Sequence, residues 1–277
     1  ATGMVAAGYG MGAILTTFPV TQSLAAKGLE STLWQFGLLM AAIGFIASQG
    51  VRAPQHASAQ PVSSPLKMSE KSFAPKEMLR KPLFWLMFVM MTMMSTSGLM
   101  VTSQMAIFAD DFGITAVTVL GMAALPLAMT IDRFMNGLTR PVCGYISDRI
   151  GRENMMFVAF GLEGCAMALW LLCKDDPLLF VLLSGVVFFG WGEIFSLFPA
   201  TLTDTFGTQH ATSNYGWLYI SQGIGSIFGG PLAALLYQQT GSWNLVFGCA
   251  ITLDILCALL AFFVLKPWRQ RFLQSVH

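Results

Sequence analysis

The sequence predicts an all-α, polytopic membrane protein, and its composition is the main reason. Of its 277 residues, 55% are hydrophobic and only 10% are charged, whereas an ordinary soluble domain is about 45–50% apolar and about 25% charged. The mean hydropathy is +0.64 and the formal net charge is +1, which gives no indication of nucleic-acid binding. A lipid bilayer is therefore the expected partner, and we expect the protein in the cell membrane.

Apolar stretches separated by charges, prolines and polar clusters predict eight transmembrane helices, since one crossing needs about 20 apolar residues. In chain order the predicted spans are residues 1–26, 32–51, 82–109, 115–145, 155–173, 178–199, 215–238 and 243–265.

The stretch 52–81 differs from every other connection because it is long, polar and rich in proline. It is typical of a mobile linker, ending in a short amphipathic piece around residues 76–79. Eleven of the fifteen Lys and Arg residues lie in this linker, in the loop 147–154 and in the tail 266–277. Basic residues favour the cytoplasmic side of a membrane. We therefore expect a protein of the inner membrane with both ends of this chain in the cytoplasm.

The loop between the fourth and fifth predicted spans carries a spaced motif made of Gly144, Asp148, Arg149, Gly151 and Arg152. Gly144 lets two helices approach closely, Asp148 can cap a helix N-terminus or pair with a neighbouring Arg, and Gly151 permits a tight turn. The spacing resembles the G-x-x-x-D-R-x-G-R loop of the major facilitator superfamily, which implies a role in conformational gating.

That resemblance implies a transporter built from two six-helix bundles joined by a long loop. Two spans precede the linker and six follow it, and the chain starts inside an apolar helix without an initiator Met. We therefore expect eight of twelve helices, helices 5 to 12. The expected domains are the last two helices of the N-terminal bundle at 1–51, the linker at 52–81, the C-terminal bundle at 82–265 and a cytoplasmic tail at 266–277.

Two arginines, Arg133 and Arg140, lie inside the fourth predicted span. Arg140 is about 12 Å along the helix from Asp148, and Arg133 is about 10 Å further. An Arg near the membrane centre costs about 2.5–3.5 kcal/mol on insertion scales, so it is expected to face a cavity or a counter-ion. Because a guanidinium offers parallel donors and stays charged, Arg140 is the expected carboxylate ligand. Arg133 either joins it or pairs with an acid such as Asp132.

Further motifs make the resemblance more specific. They are residues 136–141, 191–192, 197–199, 204–207, 214–216 and 226–230, with residues 6–12 in the first span. Together they look like the oxalate:formate antiporter family, over essentially the whole chain apart from the linker. This resemblance implies that Arg140 binds a substrate carboxylate, and that aromatic side chains, here Trp191 and Phe195, close the cavity.

The second cation of that family, a Lys on the eleventh helix, is not matched. Gln222 stands at its place, and the span 215–238 has neither Lys nor Arg. One fixed cation suits a monocarboxylate such as formate or pyruvate, with Gln222 and Tyr219 donating hydrogen bonds. Arg133 as a second cation keeps a dicarboxylate such as oxalate possible. The expected function is secondary active transport of such a small organic anion by alternating access, as in an antiporter.

Four acids inside the predicted spans have to be explained. Glu193 either carries a proton, as in a symporter, or is the counter-ion of Arg133 or Arg140. Asp132 is a further candidate for either role. Glu163 and Asp254 are expected to make interhelical hydrogen bonds.

Other functions fit the same scaffold, namely transport of an unrelated solute such as a drug or sugar, or a membrane sensor that does not transport. An enzyme is not expected, because His56, His210 and His277 lie in loops or the tail. Neither a metal nor a cofactor is expected, since the five cysteines lie in apolar stretches without a CxxC pattern. We expect a monomer.

Overall fold

The computed structural model describes residues 2–50, 68–69 and 71–276. Residues 51–67 and residue 70 of the predicted linker lie outside the described residues. The chain divides into two compact units, one made of Ala1–Met11 with Pro65–His277 and the other of Gly12–Ser64.

The described residues are almost entirely helical, which confirms the predicted fold class. The elements are α1 Thr2–Gly50, α2 Pro75–Met78, α3 Pro82–Thr102, α4 Met105–Asp111, β1 Thr118–Val119, β2 Met122–Ala123, α5 Ala124–Ile150, α6 Arg152–Leu172, α7 Pro177–Gly192, α8 Ile194–Phe206, α9 Ala211–Thr240, α10 Trp243–Leu259, a π-helical turn Leu260–Leu265, and α11 Lys266–Val276.

Six helical segments of the described chain are long and apolar enough to cross a membrane. They are Gln22–Gly50, Pro82–Thr102, Arg152–Leu172, Pro177–Phe206, Ala211–Thr240 and Trp243–Val276. The two remaining predicted spans, 1–26 and 115–145, correspond to the first part of α1 and to α5. Helix α5 has 27 residues, but the charged side chains within it lower its hydropathy. The chain is therefore a multi-pass membrane protein.

In the smaller unit, the backbone of α1 leaves helical geometry at Gly28, where φ is +78°. Glycine adopts this value without the steric penalty of other residues, so the chain changes direction there. The hydroxyl of Thr32 donates to the Gly28 carbonyl at 2.8 Å and lies 3.0 Å from the Ser23 hydroxyl. This kink falls between the predicted spans 1–26 and 32–51, as the sequence indicates.

Two predicted spans of the larger unit have different limits in the structure. The span 82–109 is interrupted after Thr102, and α4 begins at Met105. The span expected from residue 115 begins at Ala124, because β1 and β2 pair around a tight turn with positive φ at Leu120 and Gly121. The boundary was wrong because this hairpin is as apolar as a helix.

The end of the predicted linker is packed on the larger unit rather than mobile. The Phe73 amide donates to the Phe206 carbonyl at 2.8 Å, and the Asn214 amide donates to the Phe73 carbonyl at 3.0 Å. The rings of Phe73, Phe206 and Phe272 lie 5.6–5.7 Å apart. Helix α2 corresponds to the short amphipathic piece, with Met78 fully buried.

The core of the larger unit is formed by α3 against α9, α5 against α7, and α6 against α10. Glycines permit the closest of these contacts. A Cβ at Gly225 would lie 3.0 Å from the Thr96 nitrogen, and one at Gly229 would lie 3.1 Å from the Thr96 carbonyl oxygen. Both helices therefore meet backbone to backbone, as small residues permit in membranes.

Candidate functional site

Arg140 is the central residue of the candidate site, and it is only 2% exposed. Its Nη1 donates to the Ala6 carbonyl at 2.7 Å and its Nη2 donates to Asn136 Oδ1 at 2.9 Å, while Nε is buried without a hydrogen-bond partner. Asn136 is positioned by the helix itself, since residues four apart share a face. The described ion pairs involve Arg152 and Arg269, not Arg140. The guanidinium is thus held by neutral oxygen atoms and keeps its full charge.

Two aromatic rings lie against this guanidinium. Its Cζ is 4.7 Å from the centre of the Phe195 ring and 5.4 Å from that of Tyr9. Such cation–π contacts contribute about 0.5–2 kcal/mol each and do not neutralise the charge. They fix the guanidinium while leaving it able to attract an anion.

A row of aromatic side chains continues from Phe195 in both directions. The Phe195 ring is 5.8 Å from Trp191 and 6.2 Å from Tyr219, and Tyr219 is 5.5 Å from Tyr215. Trp191 is buried, whereas Tyr219 is 40% exposed, so the row leads from the buried Arg140 to the surface of this unit. The structure therefore brings together Arg140, Trp191, Phe195 and Tyr219.

Gln222 lies one helical turn beyond Tyr219 on α9 and contacts α3. Its amide oxygen accepts a hydrogen bond from the Ser95 hydroxyl, which leaves its NH₂ group as a donor. On the same stretch of α3, the Met94 carbonyl accepts a hydrogen bond from the Trp191 indole at 3.1 Å. The contribution of α3 was missed at the level of sequence, because neither Met94 nor Ser95 has a distinctive motif. Tyr9 was missed for the same reason.

Arg133 and Asp132 lie apart from Arg140, in a cavity of about 210 Å³ that is also lined by Thr102, Met105 and Phe188. The Arg133 side chain is exposed. Asp132 is 2% exposed, and its Oδ1 has no hydrogen-bond partner. The described residues thus do not bring Arg133 to the aromatic row around Arg140.

Glu193 occupies the junction between α7 and α8 and is fully buried. The preceding Gly192 lets this junction approach α5 closely, since a Cβ there would lie 2.6 Å from the Asn136 carbonyl oxygen. Glu193 is within electrostatic range of Arg140 but forms no ion pair with it. Among the described residues, no group of His, Cys, Asp or Glu could hold a metal ion.

Comparison with known proteins identifies the family. A model of the Major Facilitator Superfamily matches residues 123–275, which include the whole of α5 with Arg140 and the motif loop. The chain belongs to this superfamily. Its members are transporters rather than enzymes, in agreement with the prediction from the sequence.

Relatives within the superfamily match most of the chain. The oxalate:formate antiporter of Oxalobacter formigenes is 30% identical over 267 residues, which are 96% of this chain and 61% of that protein. The uncharacterized MFS-type transporter YhjX of Escherichia coli strain K12 is 30% identical over 220 residues, 79% of this chain and 52% of that protein. The chain thus spans between half and two thirds of the length of these relatives. The resemblance seen in the motifs is confirmed.

The superfamily loop motif forms an ion-pair network. Arg152 pairs with Asp148 at 2.5 Å, as expected, and also with Asp204 on α8 at 3.0 Å. Gly151 has φ +98°, which confirms the tight turn. Around Gly144 the expected close helix contact is not seen among the described residues, since a Cβ there would meet no atom within 4 Å.

The remaining motif residue, Arg149, lies on the exposed side of the same helix end. Its guanidinium stacks on the Tyr145 ring, with Cζ 4.4 Å from the ring centre, and also donates to the Tyr145 hydroxyl. The motif therefore joins α5 to α8 through Arg152 and not through Arg149.

Proposed function

We propose that the protein is a secondary active transporter of a small organic anion and that Arg140 binds the carboxylate of this substrate. The observation that carries the proposal is a buried guanidinium whose described partners are neutral oxygens and aromatic rings. A buried charge without a counter-ion is unfavourable, and a bound carboxylate would supply one. The similarity to the oxalate:formate antiporter of Oxalobacter formigenes favours the same class of substrate.

The composition of the site favours a monocarboxylate such as formate or pyruvate over a dicarboxylate such as oxalate. Arg140 is the cation that lies against the aromatic row, while Arg133 is exposed on another part of α5. Gln222 offers a neutral donor where a second cation would be needed to hold a dianion. Tyr219, with its hydroxyl on the same face of α9, is the second neutral donor in this proposal.

Uptake of labelled formate, pyruvate and oxalate by proteoliposomes of the full-length protein tests the role of Arg140. Loss of a charge-assisted contact costs about 2–5 kcal/mol, so Arg140→Gln is expected to reduce uptake at least about 30-fold. Arg140→Lys keeps the charge but not the paired donors and is expected to lose at least about tenfold. The matched control is Arg80→Gln, at an exposed position. Equal uptake by wild type and both Arg140 variants would remove Arg140 from this role.

A gain-of-function variant tests whether the preferred substrate is a monocarboxylate or a dicarboxylate. Gln222→Lys places a second cation one turn from Tyr219, and we expect it to raise the uptake of oxalate relative to formate by about tenfold. If oxalate is already the preferred substrate of the wild type and Gln222→Lys leaves the ratio unchanged, the monocarboxylate preference is wrong.

We also propose that the transporter lies in the cell membrane as a monomer, with the C-terminal end of this chain in the cytoplasm. The distribution of Lys and Arg supports this orientation. Asp175 is exposed in the turn between α6 and α7, and Arg271 is exposed on α11. In a cysteine-free background, an impermeant thiol reagent should label Asp175→Cys in intact cells and Arg271→Cys only after permeabilisation. The reverse pattern would invert the orientation.

A further inference from the structure

Three acids are buried at the centre of the larger unit on different helices. Glu163 lies on α6, Glu193 at the junction of α7 and α8, and Asp254 on α10, and all three are 0% exposed. None of their six carboxyl oxygens has a hydrogen-bond partner among the described residues. The interhelical hydrogen bonds expected for Glu163 and Asp254 are therefore not seen.

The three carboxyl groups are close enough to influence one another. Asp254 and Glu193 both act electrostatically on Glu163. Glycines bring their helices together, since a Cβ at Gly190 would lie 2.6 Å from Glu163 Cβ and one at Gly164 would lie 3.3 Å from Asp254 Cβ.

Few other titratable or charged groups face this cluster. From α10, Cys257 faces all three acids; from α5, Arg140 and Cys143 face Glu193. From α3, the hydroxyl of Ser97 lies beside Asp254 and donates to the Ala250 carbonyl at 3.2 Å. Among the described residues, Arg140 is thus the positive charge that faces Glu193, and it forms no ion pair with any of the three acids.

The physical state of such a cluster follows from its surroundings. A carboxylate removed from water without a cation or hydrogen-bond donor is strongly unfavourable, and three adjacent negative charges also repel one another. The neutral, protonated form avoids both penalties. Since the packing supplies no partner for these oxygens, the ligand that fits them is the proton.

We propose that Glu193, Glu163 and Asp254 form a proton-binding site and that a proton on this site moves together with the transported anion. This inference rests on the proposed transport function and adds the coupling ion to it. Intramembrane acids that lack partners are expected at such sites, because they must be able to gain and lose a charge.

Arg140 provides the link between the proton and the anion. When the anion site is empty, the Glu193 carboxylate is favoured by the positive charge of Arg140. A bound substrate carboxylate neutralises that charge, so Glu193 then binds a proton from the water on the open side. After reorientation the anion leaves, and the O–H bond of Glu193 breaks to release the proton on the other side. Because coupling is reciprocal, a bound proton also raises the affinity for the anion.

Proton movement can be measured together with anion uptake. We would reconstitute the full-length protein into proteoliposomes that contain a pH-sensitive dye and add labelled formate or pyruvate outside. One proton per anion predicts acidification of the lumen with uptake, and about a tenfold rise in the accumulation ratio for each unit of pH gradient, acid outside. Glu193→Gln mimics the protonated form, so anion exchange should persist without proton movement. Uptake that is insensitive to the gradient, or the same proton movement in Glu193→Gln, would refute the coupling.

A second measurement does not depend on transport. Infrared spectroscopy of the reconstituted protein detects protonated carboxyl groups by their C=O stretching band at neutral pH. Without added anion, this band should weaken in Glu163→Gln and Asp254→Asn and stay unchanged in the exposed control Asp175→Asn. Addition of formate should increase the band in the wild type, because Glu193 then binds a proton, but not in Glu193→Gln. A wild-type protein without the band would exclude the proton site even if it transports anions. Conversely, the band without any anion uptake would refute the proposed function and the coupling while leaving the proton site in place.

Discussion

Two groups of buried charges differ in whether they have a partner of opposite charge. One group lies at the end of the bundle with the 144–152 loop motif, here called the motif end, and the other lies at the centre. At the motif end, Arg269 pairs with Glu153 at 2.7 Å and donates to the Thr205 hydroxyl at 2.7 Å, and Arg152 pairs with Asp204. At the centre, Glu163, Glu193 and Asp254 are more deeply buried but have no hydrogen-bond or ion-pair partner among the described residues.

This difference distinguishes buried charges that hold helices together from buried charges that lack a partner in the same domain. Charges that join helix ends are accompanied by a partner of opposite sign, because a buried ion without one is very unfavourable. For charges that have no such partner among the described residues, we propose that the partner arrives from outside the protein. By this criterion Arg140 groups with the central acids and not with Arg152 and Arg269.

The largest expected effect on stability comes from breaking an ion pair at the motif end. Glu153→Leu removes the Glu153 carboxylate from the buried Arg269, and we expect the free energy of unfolding to fall by about 3–5 kcal/mol. Denaturant unfolding in detergent micelles measures it, with Glu77→Leu on the exposed side of α2 as the control. A loss below about 1 kcal/mol would show that this pair is not important for stability.

A smaller loss is expected where the centre of the bundle relies on close backbone packing. Gly192→Ala places a methyl group against the Asn136 carbonyl, and backbone atoms cannot move aside easily. We expect a loss of about 1–3 kcal/mol in the same unfolding assay, as is typical of overpacking. Gly216→Ala is the matched control, since a Cβ there meets no atom within 4 Å. Equal stability of the two variants would contradict the packing at Gly192.

The sequence predicted where the charged residues lie in these regions better than it predicted their contacts. The place of Arg140 inside a helix and a pair between Asp148 and a neighbouring Arg were expected from charge, spacing and position along the helix. The contacts of Tyr9 with Arg140 and of Ser95 with Gln222 did not, because they depend on how helices distant in sequence are rotated against each other. Likewise, the hairpin at Leu120 and Gly121 is too apolar for hydropathy to distinguish it from the start of α5.

The contrast between paired and unpaired charges predicts a still smaller effect on stability when one of the central acids is made neutral. If Asp254 is already protonated, Asp254→Asn changes little, and we expect a change in the free energy of unfolding of less than about 1 kcal/mol at neutral pH. The measurement is the same as for Glu153→Leu, which provides the contrast. A loss of several kcal/mol would show that Asp254 is ionised and supported by a partner.

The smallest effect is expected at Asp111, an exposed acid at the opposite end of the bundle. Tyr237 and the indole N–H of Trp243, which donates at 2.6 Å, lower the pKa of Asp111 below its ordinary value of 3.8. Its contribution to stability is therefore present above that value and is lost as the pH falls through the lower pKa of the folded state. Trp243→Phe should reduce the loss of stability on acidification, whereas the control Trp268→Phe should not. Identical acid unfolding curves would contradict the contact.

The π-helical turn at Leu260–Leu265 determines how α11, which follows it, is rotated about its own axis. A π turn contains one residue more than an α turn, and each residue of a helix corresponds to about 100° of rotation. A chain shorter by one residue here would form a continuous α-helix, and α11 would point Arg269 away from Glu153 and Thr205. The Arg269–Glu153 ion pair thus depends on the number of residues in the apolar turn that directly precedes α11, and only weakly on their identity.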